Sequence, residues 1–132
     1  MFSHQIIVRG FHCDMFGHVN NARYLEFLEE TRWEWLNSIN PNDLFLRKNQ
    51  SFVVVSITIH YKWPSVLNDA LIVTVELKHT TNKTATVRQT VTRKKDEKLI
   101  AEADVTFAVI DNATGRAVVL DDEMKNFLLK EH

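Results

Sequence analysis

The amino-acid sequence predicts an α+β fold in which an antiparallel sheet of five or six strands wraps around one long helix. Two patterns lead to this expectation. Apolar residues recur at three- and four-residue steps between Asn21 and Ile39, which is typical of a buried helix. Four segments with β-branched residues at alternate positions follow, separated by short polar connections. The chain has 132 residues, which is cramped for two independent cores, so we expect a single domain over residues 1–132.

The long helix carries an unusually broad apolar band. Asn20 and Asn21 are residue types that favour the N-cap position at its start. Leu25, Trp33 and Leu36 widen the apolar band, so we expect the sheet to contact this helix on several sides. The residues expected to form the buried stripe are Tyr24, Phe27, Leu28, Thr31, Trp35 and Ile39.

The remaining elements are bounded by prolines and polar turns. Pro41 is expected to close the long helix, and residues 42–49 to form a short second helix or a loop. Pro64 ends a strand because proline cannot continue a central strand. Residues 121–130 are expected to form a terminal helix with Asp121 as its N-cap. The expected strands are residues 4–12, 51–63, 71–78, 85–94 and 99–111.

Composition and charge exclude several classes of function. The three glycines, Gly10, Gly17 and Gly115, are too far apart for a P-loop or for the G-x-G-x-x-G sequence of dinucleotide-binding folds. Sixteen basic and seventeen acidic side chains give a net charge of -1, without the overall positive field of a nucleic-acid-binding protein. No segment approaches the ~20 apolar residues of a membrane span. Because Cys13 is the only cysteine and no signal-peptide core is visible, we expect a cytoplasmic protein.

The stretch from Asp14 to Tyr24 has the residue types needed to attack an activated acyl group. Asp14 precedes the predicted helix, whose first N–H groups have no partner within the helix and carry about half a positive charge. One such donor stabilises the oxyanion of acyl transfer by about 2.7–4 kcal/mol. Gly17 allows the backbone to approach a ligand closely. The simpler alternative is that Asp14 is a turn residue and that Asn20 or Asn21 merely caps the helix.

The same stretch resembles a known enzyme family. The residues that carry the resemblance are Asp14-x-x-Gly17-His18-Val19-Asn20-Asn21-x-x-Tyr24, followed by Glu29 and Arg32. They are similar to the hot-dog-fold thioesterases of the 4-hydroxybenzoyl-CoA thioesterase type, and within these to the long-chain acyl-CoA branch called thioesterase III. The resemblance extends over nearly the whole chain through Tyr61-x-x-Pro64-x-x-Leu67-x-Asp69 and through Lys83-Thr84 leading to Gln89.

This resemblance implies a function and a catalytic residue. The implied reaction is hydrolysis of medium- to long-chain fatty acyl-CoA to free acid and CoA, without a metal or other cofactor. Asp14 would be the catalytic carboxylate, attacking the thioester carbon directly or activating a water molecule. The backbone N–H of Asn21 would polarise the thioester carbonyl, and Gly17 would hold the turn between them. Many members carry His or Tyr at the position of Asn21, which leaves a backbone donor unaffected.

The resemblance also implies an assembly. Members of the family are homodimers with active sites at the interface, often paired again into homotetramers as dimers of dimers. A single wrapped sheet leaves an edge strand open, and pairing with a second copy is one way to cover such an edge.

Four further residues are candidates for substrate binding. His18 either lines the site or faces water, and Tyr24 is expected to fill the core with its hydroxyl near the pocket. Without a glycine-rich loop, the phosphates of CoA must be held by basic side chains, and Lys62 beside Trp63 is the first choice. The other basic candidates are Arg88, Arg93, Lys94, Lys95 and Arg116, although the run at 93–95 is more typical of a solvated hairpin.

Other chemistry has less support in the sequence. The carboxylate next to Cys13 disfavours the thiolate, which is the nucleophilic form of cysteine. The six histidines lack the spacing of metal ligands, so no metal site is expected. Glu29 and Arg32 are one turn apart and are expected to form an ion pair on the helix, with a subunit contact as the alternative. Of Trp33 and Trp35, one is expected to be buried and the other to meet a neighbouring subunit or the acyl chain.

Alternative functions remain open on the same scaffold. One is a thioesterase for aromatic acyl-CoA or for acyl-carrier protein, and another is a non-catalytic acyl-CoA-binding module. A dehydratase is disfavoured because the sequence offers no separate pair of a histidine and an acidic residue in the required context.

Overall fold

A computed structural model describes residues 1–39 and 44–129 of the chain. Its strands are β1 (Phe2–Ile7), β2 (Gln50–Tyr61), β3 (Ala70–Thr80), β4 (Thr84–Arg93) and β5 (Lys98–Asp111). Its α-helices are α1 (Asn21–Ile39), α2 (Leu44–Lys48) and α3 (Asp122–Leu128), and a 3₁₀ turn covers Gly10–His12. The predicted long helix and the four later strands are confirmed, although β2 ends at Tyr61 rather than at residue 63. Residues 44–48 form a helix, which was one of the two alternatives for residues 42–49.

All five strands of the described chain belong to one antiparallel sheet in the order β1-β3-β4-β5-β2. Consecutive hairpins join β3, β4 and β5, while β2 pairs with β5 on the far side. The two outer strands are therefore β1 and β2. This arrangement confirms the predicted α+β architecture with the lower of the two expected strand numbers.

Helix α1 covers one face of the sheet through the predicted stripe. The residues that it buries are Tyr24, Phe27, Leu28, Thr31, Trp35 and Ile39. Its first half packs with β1 and β3 in one apolar cluster, and its second half packs with α3 in another. Trp33 is 59% exposed and Leu25 is 38% exposed, so within the described chain the sheet does not enclose the helix on several sides as expected.

Strand β1 is shorter than predicted, because its partner strand is not available beyond Ile7. Ile7 pairs with Ala70, the first residue of β3. Val8 makes two further backbone bonds of 2.9 Å, donating to Asp69 and accepting from Asn68. The chain then leaves the sheet for the 3₁₀ turn, so the prediction of a strand up to residue 12 is wrong.

The terminal helix begins as predicted. Asp121 Oδ1 accepts a hydrogen bond of 2.8 Å from Met124 N, which confirms Asp121 as the N-cap. Helix α3 ends at Leu128 with Leu129 as its C-cap, two residues before the predicted end at residue 130. The expected role of Pro41 lies outside the described residues. In the described part of the chain no helix combines the length and the apolar character required to cross a membrane.

Strand β2 is an outer strand with an apolar surface that the described residues leave exposed. Val53, Val54, Val55 and Ile57 are all exposed. The register against β5 shifts between Val54 and Ser56, which marks a bulge at Val55. A long apolar edge strand is a ready template for pairing with another chain.

Candidate active site

The loop between the 3₁₀ turn and α1 is closed by short backbone hydrogen bonds. Asn20 N donates to His12 O at 2.9 Å, and Asp14 N donates to His18 O at 2.9 Å. Gly17 N donates to Asp14 O at 3.0 Å and has a φ of 78°. A Cβ at Gly17 would meet no atom within 4 Å, so its backbone conformation rather than space requires glycine. The loop is thus a tight turn with Asp14 at its base.

The Asp14 carboxylate is exposed and held in a fixed orientation. Its Oδ1 accepts a hydrogen bond of 2.9 Å from Phe16 N, which is the geometry of an Asx turn. The other oxygen has no hydrogen-bond partner among the described residues. Asp14 therefore occupies a turn, as the simpler alternative held, and still presents one carboxylate oxygen to a ligand.

The start of α1 presents a backbone amide to which no described residue provides an acceptor. Asn20 is the cap: its Oδ1 accepts from Ala22 N at 3.0 Å and its carbonyl from Arg23 N at 2.9 Å. Asn21 is the first residue of the helix, and its N–H has no acceptor within residues 1–39 and 44–129. Its carbonyl accepts a hydrogen bond of 3.1 Å from the hydroxyl of Tyr61. The side chain of Asn21 is exposed.

Tyr24 is a core residue with a polar tip. It is buried, and its hydroxyl lies 2.5 Å from Ser65 Oγ. Burial raises the pKa of the Tyr24 phenol above its ordinary value, with the hydrogen bond to Ser65 acting in the opposite direction. Its ring contacts those of Phe27 and Tyr61. Tyr24 thus supports the helix start from the core, and its contact with a substrate stays a prediction.

Residues 61–66 run alongside the loop and the helix start. Val19 N donates to Ser65 O at 2.9 Å, and His18 forms an isolated antiparallel bridge with Val66. The contacts of Tyr61 and Ser65 were not identified from the sequence, and the only signal was their place in or near the Tyr61-x-x-Pro64 stretch. The ring of His18 is exposed and has no hydrogen bond or ion pair among the described residues, so its substrate contact stays a prediction.

His12 fixes the other side of the loop. Its Nδ1 accepts a hydrogen bond of 2.8 Å from Arg9 N, and its ring lies edge-on to Phe27 with centroids 4.9 Å apart. Burial, followed by the charge of Arg23, lowers the pKa of His12 below its ordinary value. The neutral ring with an acceptor at Nδ1 is therefore the form that the fold prefers. Nearby Cys13 is half-buried.

Lys62 and Trp63 lie together where the chain leaves β2 and crosses the start of β5. Their backbone N–H groups both donate to Ile100 O, at 2.8 and 3.2 Å. Lys62 Nζ is 3.8 Å from a carboxylate oxygen of Glu102. Trp63 is half exposed, and Lys98 Nζ lies 4.1 Å from the centroid of its ring.

Most of the other basic residues considered for phosphate binding already contact nearby side chains. Arg88 Nε bonds Asp104 at 2.7 Å, and Arg93 binds both oxygens of Asp96, which lowers the pKa of that carboxyl to about 2. Lys94 donates to a neutral glutamine, Lys95 lies 3.9 Å from Asp69, and no ion pair of Arg116 is found in the described chain. Residues 93–95 therefore fit a solvated hairpin better than a phosphate-binding site.

An apolar cavity of about 640 Å³ lies between the second half of α1, α2 and the start of β2. Its apolar lining consists of Trp33, Leu36, Phe45, Leu46, Phe52 and Val54. Trp35 is buried and Trp33 is exposed, which confirms that only one of the two tryptophans is buried.

Arg32 lies at the same cavity but not in the predicted ion pair. Its Nη1 donates to Gln89 Oε1 at 3.0 Å, while Glu29 accepts a hydrogen bond of 3.3 Å from Trp33 Nε1. The prediction of a Glu29–Arg32 pair is wrong because the side chain of Gln89, itself bonded to Leu28 O, reaches the guanidinium from the sheet. Burial lowers the pKa of Arg32 from its ordinary value.

In the described parts of the chain no three His, Cys, Asp or Glu side chains come together as a set of metal ligands. The arrangement can instead support acyl transfer by a carboxylate and a backbone donor. Asp14 and Gly17 lie in one turn, Asn21 begins the helix that follows it, and Tyr24 is beneath.

Comparisons with known proteins identify the family of the chain. The model of the Thioesterase-like superfamily matches residues 8–128. The long-chain acyl-CoA thioesterase FadM of Escherichia coli (strain K12) is 42% identical over 124 residues, which is 94% of each chain. The acyl-CoA thioesterase YbgC of Haemophilus influenzae is 31% identical over 114 residues, covering 85% of this chain and 82% of YbgC.

A solved structure gives the same result for the fold. The crystal structure of YbaW, a probable thioesterase from Escherichia coli, superimposes with a TM-score of 0.91 at 41% identity, covering 97% of this chain and 96% of YbaW. Since both the family model and the relatives span most of the sequence, the chain belongs to the thioesterase-like superfamily and has the hot-dog fold.

Proposed function

We propose that the chain hydrolyses medium- to long-chain fatty acyl-CoA thioesters to free fatty acid and CoA. The observation that carries the proposal is the placement of a free Asp14 carboxylate oxygen in a turn closed against the start of α1, where the Asn21 amide has no partner among the described residues. The 42% identity to a protein named as a long-chain acyl-CoA thioesterase supports the same substrate class.

The chemistry follows from these two groups. Asp14 either attacks the thioester carbon or removes a proton from a water molecule that attacks it. The carbonyl oxygen then becomes negative, and the Asn21 N–H at the positive end of the helix stabilises it, a contribution of about 2.7–4 kcal/mol. The C–S bond breaks with its electron pair on sulfur, and CoA leaves as a thiolate that takes a proton from solvent. Where Asp14 is the nucleophile, the acyl group stays on it as a mixed anhydride, which water then hydrolyses to the free acid and the restored carboxylate. Gly17 holds the turn that sets the carboxylate in place.

The fatty acyl group requires an apolar cavity, and the protein has one. The cavity of about 640 Å³ beside α1 is large enough for an alkyl chain and is lined mainly by aromatic and aliphatic side chains. Strand β2 connects the two regions, because its last residue, Tyr61, bonds Asn21 and its first residues line the cavity. We propose that the tail runs along β2 from the reacting carbon to this cavity.

The active unit is proposed to be a homodimer at least, and a dimer of dimers in the complete assembly. Strand β2 is the long, exposed, apolar edge that a second copy can cover by continuing the sheet. Lys62, Trp63 and His18 are proposed as substrate-binding residues at the rim of each site. Neither nucleic acid nor a membrane span is part of this function.

A panel of substrates with release of free thiol as the readout tests the proposal. It contains acyl-CoA esters from short to long, an aromatic acyl-CoA and a long-chain acyl-carrier protein. The expected result is the highest kcat/KM for medium to long acyl-CoA. A maximum with the aromatic ester or the carrier protein would contradict the substrate class, and tight binding of long acyl-CoA without thiol release would identify a binding module instead.

A further inference from the structure

Trp63 and Lys98 form a surface cluster that neither the loop chemistry nor the apolar cavity uses. The ammonium of Lys98 lies 4.1 Å from the centroid of the indole, which is the geometry of a cation–π contact. No carboxylate of the described residues lies within ion-pair distance of Lys98. An exposed aromatic surface with an uncompensated positive charge on it is the combination that binds a purine base carrying phosphates.

The cluster lies beside the proposed catalytic turn. Trp63 stands between two points at which the chain is tied to the helix start: Tyr61, bonded to Asn21 O, and Ser65, bonded to Val19 N and to Tyr24. Each of these hydrogen-bonded residues is only two positions from Trp63, which places the backbone of Trp63 close to the helix start, and Trp63 is not among the residues that line the apolar cavity.

We propose that Trp63 and Lys98 bind the nucleotide end of coenzyme A, with the adenine stacked on the indole and a phosphate on the ammonium. This inference rests on the proposed function for its substrate. Lys62 is the other basic residue beside Trp63 that could bind this phosphate, but its ammonium is 3.8 Å from Glu102 and is thereby partly neutralised. Lys95 faces Asp69 at 3.9 Å, and Lys94 has no aromatic ring beside it in the described chain.

Kinetics with two substrates that share one acyl chain test the proposal. One is the acyl-CoA and the other is the acyl-pantetheine, which has the same thioester but no nucleotide. Trp63→Ala is expected to raise KM for the acyl-CoA about tenfold, the effect of losing one base-stacking contact, and to leave KM for the acyl-pantetheine unchanged. Trp63→Phe keeps an aromatic surface and is expected to recover most of the affinity. Equal losses on both substrates, or no loss on acyl-CoA, would overturn the inference.

The contribution of Lys98 is tested by a matched pair of charge deletions. Lys98→Ala is expected to raise KM for acyl-CoA about threefold at low salt and less at high salt, as an exposed ionic contact does. Lys83→Ala removes the same charge from the exposed β3–β4 turn and is expected to leave KM unchanged. Identical effects of the two variants would reduce the role of Lys98 to general attraction and contradict the site.

Binding of CoA itself, followed by titration calorimetry, separates this inference from the proposed function because it requires no hydrolysis. The wild-type chain is expected to bind CoA, and Trp63→Ala to lose about tenfold in affinity. Wild-type affinity in Trp63→Ala, in a protein that hydrolyses acyl-CoA, overturns the nucleotide site alone. Trp63-dependent binding in a protein that releases no thiol supports the site and overturns the proposed hydrolysis.

Discussion

The two oxygens of the Asp14 carboxylate have different tasks. Oδ1 accepts the amide of Phe16 and holds the turn, while the other oxygen is available for chemistry. Asparagine retains the accepting oxygen and replaces the other by an amino group that neither attacks a carbonyl nor takes up a proton. Asp14→Asn is therefore expected to keep its melting temperature and to lower kcat for a long acyl-CoA at least about a hundredfold. Thiol release and a thermal melt measure the two effects.

Asp111 offers a matched control for that substitution. Its Oδ1 accepts a hydrogen bond of 2.8 Å from Ala113 N, which is the same turn geometry away from the proposed site. Asp111→Asn is expected to turn over acyl-CoA like the wild type. If Asp14→Asn does so too, Asp14 has no part in the mechanism.

The hydroxyl of Tyr24 stabilises the helix start through a buried partner. Tyr24→Phe removes the hydroxyl and leaves Ser65 Oγ, which is fully buried, without it. An unsatisfied buried polar group costs about 1–3 kcal/mol, so the free energy of unfolding in urea is expected to fall by that amount. The double variant Tyr24→Phe/Ser65→Ala removes both partners and is expected to recover part of the loss. The single variant Ser65→Ala completes the comparison. If the loss of unfolding free energy in the double variant equals the sum of the losses in Tyr24→Phe and Ser65→Ala, the hydrogen bond contributes nothing to stability.

Residues close in sequence could be predicted, and residues paired across the fold could not. Asp14, Gly17 and Asn20 act within a few positions of each other, and local rules for turns and helix caps identify them. Tyr61 reaches Asn21 across 40 positions, and a single sequence has no rule for that distance. Arg32 shows the limit of local rules, since Gln89, 57 positions away, bonds it in place of Glu29.

At the scale of elements, the 3₁₀ turn before the proposed catalytic loop is expected to make stability depend on pH through His12. Burial lowers the pKa of His12 from its ordinary 6.5, and Arg23 and Arg9 act in the same direction while Glu26 and Glu30 oppose them. As the pH falls below 6.5, the unfolded chain takes up a proton at His12 that the folded chain resists. The folded state is therefore expected to lose stability from pH 6.5 down through the folded pKa, and to keep this contribution above pH 6.5.

His12→Asn isolates this effect, because the amide oxygen accepts the Arg9 N–H in place of Nδ1 and does not titrate. Melting temperatures measured on both sides of pH 6.5 are expected to fall more for the wild type than for His12→Asn. Parallel curves would assign the pH dependence to other groups.

The ends of an element could be predicted from the sequence when they depend on the segment itself, and could not when they depend on a partner strand elsewhere in the chain. The extent of helix α1 was predicted closely, at about Asn21 to Ile39, because its apolar period is intrinsic to the segment. Strand β1 was predicted too long because its end is set by β3, which begins at Ala70. The extended propensity of residues 8–12 cannot create a ladder without a partner strand.

At the scale of the whole molecule, the exposed apolar residues of α1 and of strand β2 form one surface. Trp33 on α1 and Val54 on β2 line one cavity, and both are exposed in the single chain. A contiguous apolar surface of this kind typically marks an interface or a ligand groove. A second copy continuing the sheet at β2 would enclose the cavity, so assembly and activity are expected to be coupled.

Val55 is the residue at which this coupling can be tested. It lies at the bulge of β2 and is 56% exposed, so Val55→Lys leaves the fold of one chain intact but places a charge in any interface that forms there. Each copy contributes the same charge across a two-fold axis, and the repulsion adds to the cost of burying it. Sedimentation is expected to shift toward the monomer, with kcat/KM for long acyl-CoA falling in parallel. Val119→Lys, at a residue 61% exposed near α3, is the control and is expected to change neither. A wild-type chain that sediments as a fully active monomer would show that β2 is not the interface and that one chain encloses its substrate unaided.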